Sequence, residues 1–250
     1  MSTRLLLLAL CVSPLGSPLL ADEAKSARQI VDRAVAAAGG AKLLAAQQSL
    51  SGTSRGTIHL GEARHTIENT WTVEGLDKLK WVSDLTMGDQ TLNIVLVLDG
   101  KTGWIQGNGQ TSSELKADVL TPLRHGFTGL RLVETLVPLL DRGTTLAPLG
   151  ELKVDDRPTV GVKVTRKGMP DMDLYFDKRT NLPAKAELRV TESIKVEAAY
   201  TAFFSEYKKI GGRMVFTRLT VKRDDKTVLT MLRSNIESKE KAAEGTFAQP

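Results

Sequence analysis

Arg157–Val190 reads RPTVGVKVTRKGMPDMDLYFDKRTNLPAKAELRV. In its first third Val160, Val162 and Val164 alternate with Gly161, Lys163 and Thr165. A period of two puts the valines on one face of a strand and the polar residues on the other. Lys167-Gly168-Met169-Pro170 is a turn, and Met172, Leu174 and Phe176 carry the apolar face of a second strand. Asp177 to Asn181 supplies turn chemistry, after which Ala184, Ala186, Leu188 and Val190 resume the alternation. Three consecutive antiparallel strands with one greasy side cannot stand alone. The identity of what covers that side is the functional question.

Outward from this meander the period of two recurs. Arg64–Glu74 alternates through Ile67, Asn69, Trp71 and Val73, and Leu79, Trp81 and Leu85 extend the same face. Thr91–Leu98 is almost wholly apolar, which predicts a strand covered on both sides. Asp99-Gly100 signals a hairpin into Thr102–Gln106, which carries Trp104. Ile194–Tyr207, Met214–Lys222 and Thr227–Ile236 close the series, for about eleven strands in all. Helical spacing appears in two places. Ala27, Ile30, Val31, Ala34, Val35 and Ala38 mark a helix over Asp22–Ala38 that Gly39-Gly40 ends. Glu114–Leu120 has helical composition, Pro122 breaks it, and Leu130–Leu140 forms a second, very greasy helix with Arg131 and Glu134 as its main polar positions. A helix so apolar is buried on most sides or lies over a pocket.

The order of elements resembles a known family. A strand ending in Tyr175-Phe176-Asp177, then Thr180-Asn181-Leu182-Pro183 and another strand, is similar to the Y-x-D-x-x-T-x-L-P-like hairpin of bacterial periplasmic lipoprotein carriers of the LolA/LolB type. The resemblance covers nearly all of the chain after residue 21. It implies a mainly β fold with α: a curved antiparallel sheet forming an unclosed barrel, helices on its concave side, and a helical segment over its mouth. It further implies acyl chains or lipidated proteins as partners, no cofactor and no catalysis. An arginine on an early strand would help hold the lid closed, and Arg55 and Arg64 are the two candidates. Proteins that monitor envelope stress share the scaffold, so a sensor or regulatory domain that binds a protein partner is the alternative.

Residues 1–21 have the pattern of a secretory signal: Arg4, an apolar run from Leu5, and Leu19-Leu20-Ala21 before Asp22. Leu8-Ala9-Leu10-Cys11 is a distorted lipobox, so Cys11 is also a candidate for lipid attachment. The expected organisation is a signal at 1–21, one domain over 22–237 and a flexible tail over 238–250. The formal charge of +5 becomes +4 without Arg4, enough for peripheral contact with an anionic membrane surface. Basic and acidic residues are interleaved and aromatics are 5%, which argues against nucleic acid. A periplasmic or secreted monomer is expected.

Little in the chain points to bond-making chemistry. His59, His65 and His125 lie without H-E-x-x-H or C-x-x-C spacing. The pairs Asp155-Asp156, Asp171/Asp173 and Asp224-Asp225 fall at turns. There is no G-x-S-x-G elbow, and Gly107-Asn108-Gly109 lacks the lysine and helix of a phosphate cradle. What remains is apolar surplus, which builds either an ordinary packed core or a partly open cavity for an acyl chain. Such a cavity would be walled by Ile67, Trp71, Trp81, Ile94, Leu96, Leu174 and Phe176 on the strands and by Leu130, Val133, Leu136 and Val137 on a lid that swings aside.

Overall fold

The computed structural model describes residues 18–192 and 197–250. Cys11, most of the expected signal, and Ile194 and Val196 lie outside the described residues.

The predicted meander is in place. Strands β8 (Arg157–Arg166), β9 (Met172–Asp177) and β10 (Pro183–Thr191) pair antiparallel, with Val162 opposite Leu174 and Val164 opposite Met172. Asp177 builds the β9–β10 turn: its Oδ1 accepts from the backbone N–H of Arg179 (2.8 Å) and Thr180 (3.0 Å). Asn181 takes the left-handed conformation there, as Asn does at low cost. Leu174 and Phe176 are almost completely buried.

All described strands form one antiparallel sheet. The first series is β1 (Ser49–Leu60), β2 (Ala63–Glu74), β3 (Lys78–Met87), β4 (Gln90–Asp99), β5 (Thr102–Gly107) and the two-residue β6 (Ser113–Glu114). The second is β7 (Thr144–Val154), then β8 to β10, β11 (Glu197–Ile210), β12 (Arg213–Arg223) and β13 (Lys226–Lys239). The order across the sheet is β6-β5-β4-β3-β2-β1-β13-β12-β11-β10-β9-β8-β7. The first and last strands therefore meet in the middle, and β6 and β7 are the free edges. Thirteen strands stand where about eleven are expected. Ser113–Glu114 carries no apolar alternation to announce it. β7 begins well before Gly150 and tolerates Pro148 at a register shift on the edge.

Helix α1 (Pro18–Ala38) buries Ala27, Ile30, Val31, Ala34, Val35 and Ala38, the stripe its spacing marks, against β7, β8 and β12. A short α2 (Ala41–Ala46) follows. The segment between the two sheet edges departs from expectation. Helix α3 is continuous over Ala117–Thr135 and includes Pro122. Pro122 lies in the second turn, where it removes one backbone bond to Asp118, and apolar packing of Leu120, Leu123 and Phe127 compensates for that loss. The helix stops at Leu136, which sits at φ 57°, and Val137–Leu140 form a separate 3-10 turn. Leu136 and Leu139 are buried in the main core, so the stretch 130–140 is not one helix.

The end of the chain also differs from the flexible tail expected from residue 238. β13 runs to Lys239, and the remainder folds back on the sheet. Phe247 is buried, with Lys78 Nζ 5.7 Å from its ring centre, and the N–H of Ala242 donates to Glu74 (2.7 Å). One aromatic anchor outweighs the fraying that the tail's charged composition favours. Among the described residues, no helix is long and apolar enough to cross a membrane.

Candidate functional site

Between α3 and the sheet lies a cavity of about 630 Å³, inside the range of roughly 300–1,000 Å³ typical of small-molecule sites. Its walls come from β1, β2 and β3 on one side, β9 and β10 on the other, and β11, β12 and β13 between. β3 and β9 are seven strands apart in the sheet. A flat sheet would separate them by roughly 34 Å, so for both to face one hollow the sheet must curl around it. The sheet does not close: α3 lies over the hollow, packed on β10 and bonded to the β2–β3 turn at Gly75 and Leu76.

The roof follows from helical geometry. Val119, Pro122, Leu123, Gly126, Phe127, Leu130 and Val133 face the cavity at three- and four-residue steps along α3. The walls carry Trp71, Val73, Leu79, Trp81, Met172, Ala186, Leu188, Val190, Ala202, Phe204, Leu219, Val221, Leu229 and Met231. Trp71 and Trp81 are direct cross-strand partners. Gly52, opposite Trp71, makes room for it: a Cβ there would lie 2.9 Å from Trp71 Cζ2. Neither indole N–H has an acceptor among the described residues.

One end of this hollow is charged. Arg131 and Glu134, on α3, pair with each other and are buried. Arg233 on β13 donates from Nη1 to Glu134 Oε1 at 2.5 Å, and its guanidinium lies 4.2 Å from the Trp71 ring centre and 4.7 Å from that of Phe216. Arg213, fully buried at the start of β12, donates to the carbonyls of Glu134 (2.7 Å) and Gln47 (2.9 Å). Arg131 further donates to the carbonyls of Gly75 (2.9 Å) and Gln48 (3.2 Å). Burial alone would raise the Glu134 pKa, but the charges of Arg233 and Arg131 overcome it and bring the carboxyl down to about 2. Burial lowers Arg213 to about 10. At the opposite end Glu192 takes two hydrogen bonds from Arg223 (2.8 and 2.9 Å) and one from the Tyr200 hydroxyl (2.6 Å), and these hold its carboxyl at about 2.

These contacts divide α3 in two. Its C-terminal half is tied down by Arg131, Glu134 and the bond from Thr128 Oγ1 to Leu76 O (3.2 Å). Among the described residues its N-terminal half, 117–127, rests mainly on apolar contacts, with one polar contact from His125 to the backbone of Gly168 in the β8–β9 turn.

Of the residues singled out from sequence, the cavity brings together Trp71, Trp81, Leu130 and Val133. Ile67, Leu174 and Phe176 pack in the core behind it, as does Leu136. Ile94, Leu96 and Val137 are half-buried and also lie off the cavity lining, as does Trp104. Arg55 does not reach α3. It is largely exposed and pairs with Glu68 at 3.0 Å, because its neighbour Ser54 takes the inward side of β1. Arg64 is likewise exposed at the β1–β2 end. Two arginines meet α3 from the sheet: Arg213 on β12 and, on the last strand, Arg233. The signal for Arg233 was present in the alternation Leu229, Met231, Arg233, which puts a cation on a greasy face. Arg131 and Glu134, three apart on an apolar helix, were the complementary signal. Among the described residues, no group of three or more His, Cys, Asp or Glu is placed to hold a metal ion.

The fold has counterparts among solved structures. A DUF1329 family protein from Desulfovibrio piger matches with a TM-score of 0.59 at 15% identity, covering 88% of this chain and 96% of the other. A domain named for outer-membrane lipoprotein sorting, from Vibrio parahaemolyticus, matches at 0.59 and 12% identity over 90% and 97%. The LolA superfamily protein NE2245 from Nitrosomonas europaea matches at 0.55 and 13% over 89% and 97%. No family model matches the sequence, and no curated protein matches it significantly.

Proposed function

We propose, from a chain with a LolA-like fold, that this protein is a non-enzymatic carrier of lipid or of lipidated protein in the bacterial periplasm, acting as a monomer with at most peripheral membrane contact. The observation that supports the reading is the apolar cavity between α3 and the curled sheet. Sequestering an acyl chain there contributes about 0.8 kcal/mol per methylene, so tight carriage requires no reactive group. Entry proceeds by displacement of the N-terminal half of α3, which is held mainly by apolar contacts, while the Arg131–Glu134–Arg233 cluster keeps the other half as a pivot. This reverses the expectation that Leu130–Leu140 swings.

Native mass spectrometry of the protein purified from its host, with extraction of co-purifying lipid, tests the reading, together with titration by a fluorescent fatty acid. Bound lipid or saturable probe uptake is expected. Clean apoprotein that takes up no probe overturns carriage and favours the regulatory reading, in which the scaffold binds a protein partner and the hollow stays empty.

A further inference from the structure

The cavity is apolar along its length and cationic at one end. Arg131, Arg213 and Arg233 converge on Glu134: among the described residues Arg131 and Arg233 pair with its carboxylate, and Arg213 donates to its backbone carbonyl. Three guanidinium groups against one carboxylate leave two positive charges in excess, in a place where unbalanced charge is costly. Arg131 and Arg213 each spend further N–H groups on backbone carbonyls. Arg233 does not. Its side chain is 9% exposed and lines the cavity, yet among the described residues it makes one hydrogen bond, to Glu134. Among the described residues the remaining donors of its five N–H groups meet no protein acceptor. Trp71 and Phe216 stack on its guanidinium and fix its plane. A planar, preorganised guanidinium with spare donors is suited to two-point binding of a carboxylate.

The register gives the direction of the hollow. β12 runs from Phe216, beside Arg233, through Leu219 and Val221 to Arg223, a span of roughly 23 Å. At the far end Glu192 and Asp224 both pair with Arg223. That end repels an anion and the near end attracts one.

We propose that the guest is a single-tailed anionic amphiphile, a long-chain carboxylate, bound with its head against Arg233 and its tail along β12 toward Glu192. The assignment rests on the carrier reading above and narrows it, because a head-inward guest is a free fatty acid and not an acyl chain still attached to a protein.

The test is displacement of the uncharged dye N-phenyl-1-naphthylamine from the full chain by three ligands of equal tail length: laurate, 1-dodecanol and dodecylamine. Laurate is expected to displace the dye at a concentration about tenfold lower than dodecanol, and dodecylamine to be the weakest. Arg233→Met should abolish the advantage of laurate over dodecanol, read as the ratio of their displacement midpoints on the same variant. The wild-type comparison stands by itself if the variant does not fold. Equal displacement by laurate and dodecanol overturns the head assignment and leaves the cavity reading standing. Failure of the dye and of all three ligands to bind overturns both.

Discussion

Glu134 on α3 and Arg233 on β13, 99 residues apart in sequence, meet at 2.5 Å inside the molecule. The contact ties the roof of the cavity to the strand at the centre of its wall. Because both groups are buried and Arg131 shares the same carboxylate, loss of the carboxyl charge leaves two buried guanidinium groups, Arg131 and Arg233, without their counter-charge. Glu134→Gln is expected to destabilise the protein by about 3–5 kcal/mol, read as a lower urea midpoint with unchanged slope.

The same pair sets an acid limit. The Glu134 carboxyl is depressed to about 2, against roughly 4.3 for an unperturbed glutamate. A carboxyl depressed in the folded state gives stability that is fully present above its unfolded pKa and lost as pH falls through the folded one. The loss should run from about pH 4.5 down to about pH 2 and amount to about 3 kcal/mol. Thermal unfolding across that window should show this slope in the wild type and a shallower one in Glu134→Gln. Glu192, also held near 2, accounts for part of the residual, discounted for its partial exposure.

Filling the hollow separates binding from folding. Ala202 is half-buried on the cavity wall. Ala202→Trp is expected to cut uptake of a fluorescent fatty acid at least about tenfold, while circular dichroism and the unfolding midpoint change little. Undiminished uptake would place the guest elsewhere.

The two halves of α3 should differ in dynamics. Amides of Leu120–Phe127 are expected to exchange with deuterium faster than those of Arg131–Thr135, because only the latter half is pinned by buried polar contacts. A bound guest should slow the first set and leave the second unchanged.

The packing of Trp71 gives a fifth test. Gly52→Ala puts a Cβ 2.9 Å from the indole and 3.0 Å from the Ser234 carbonyl oxygen. A cost of about 1–3 kcal/mol is expected, with a shift in tryptophan emission as the ring that stacks on Arg233 moves.

How far the sequence alone reaches differs by element. The meander 157–190 was legible because alternation and the Asp177 turn are local signals. The α1 stripe was legible for the same reason. The course of α3 was not. Pro122 and the apolar run to Leu140 suggest a break and a restart, and only tertiary packing decides that the helix passes through Pro122 and ends at Leu136. The apolar surplus was legible, though it fitted a packed core as well as a cavity, and the hollow is lined by Trp71, Trp81, Leu130 and Val133 among the residues it named. Period-two reasoning names which residues share a face but not where along the face the sheet leaves a gap, so Leu174 and Phe176 were placed too near it. The charged end escaped notice for a related reason: Arg131, Arg213 and Arg233 come from three distant elements, and nothing local reveals that they converge.

The ladder between β1 and β13 has a consequence for biogenesis. Ser49–Ile58 finds its second neighbour only in Leu229–Lys239, 171 to 190 residues later in synthesis. Until the last strand arrives, the polypeptide holds two separate meanders, each with an unsatisfied inner rim. Contacts this distant in sequence make folding slow, and a nascent chain caught before residue 226 has two sticky borders open to neighbouring copies. A truncation that removes β13 should therefore yield aggregate and not a smaller native protein.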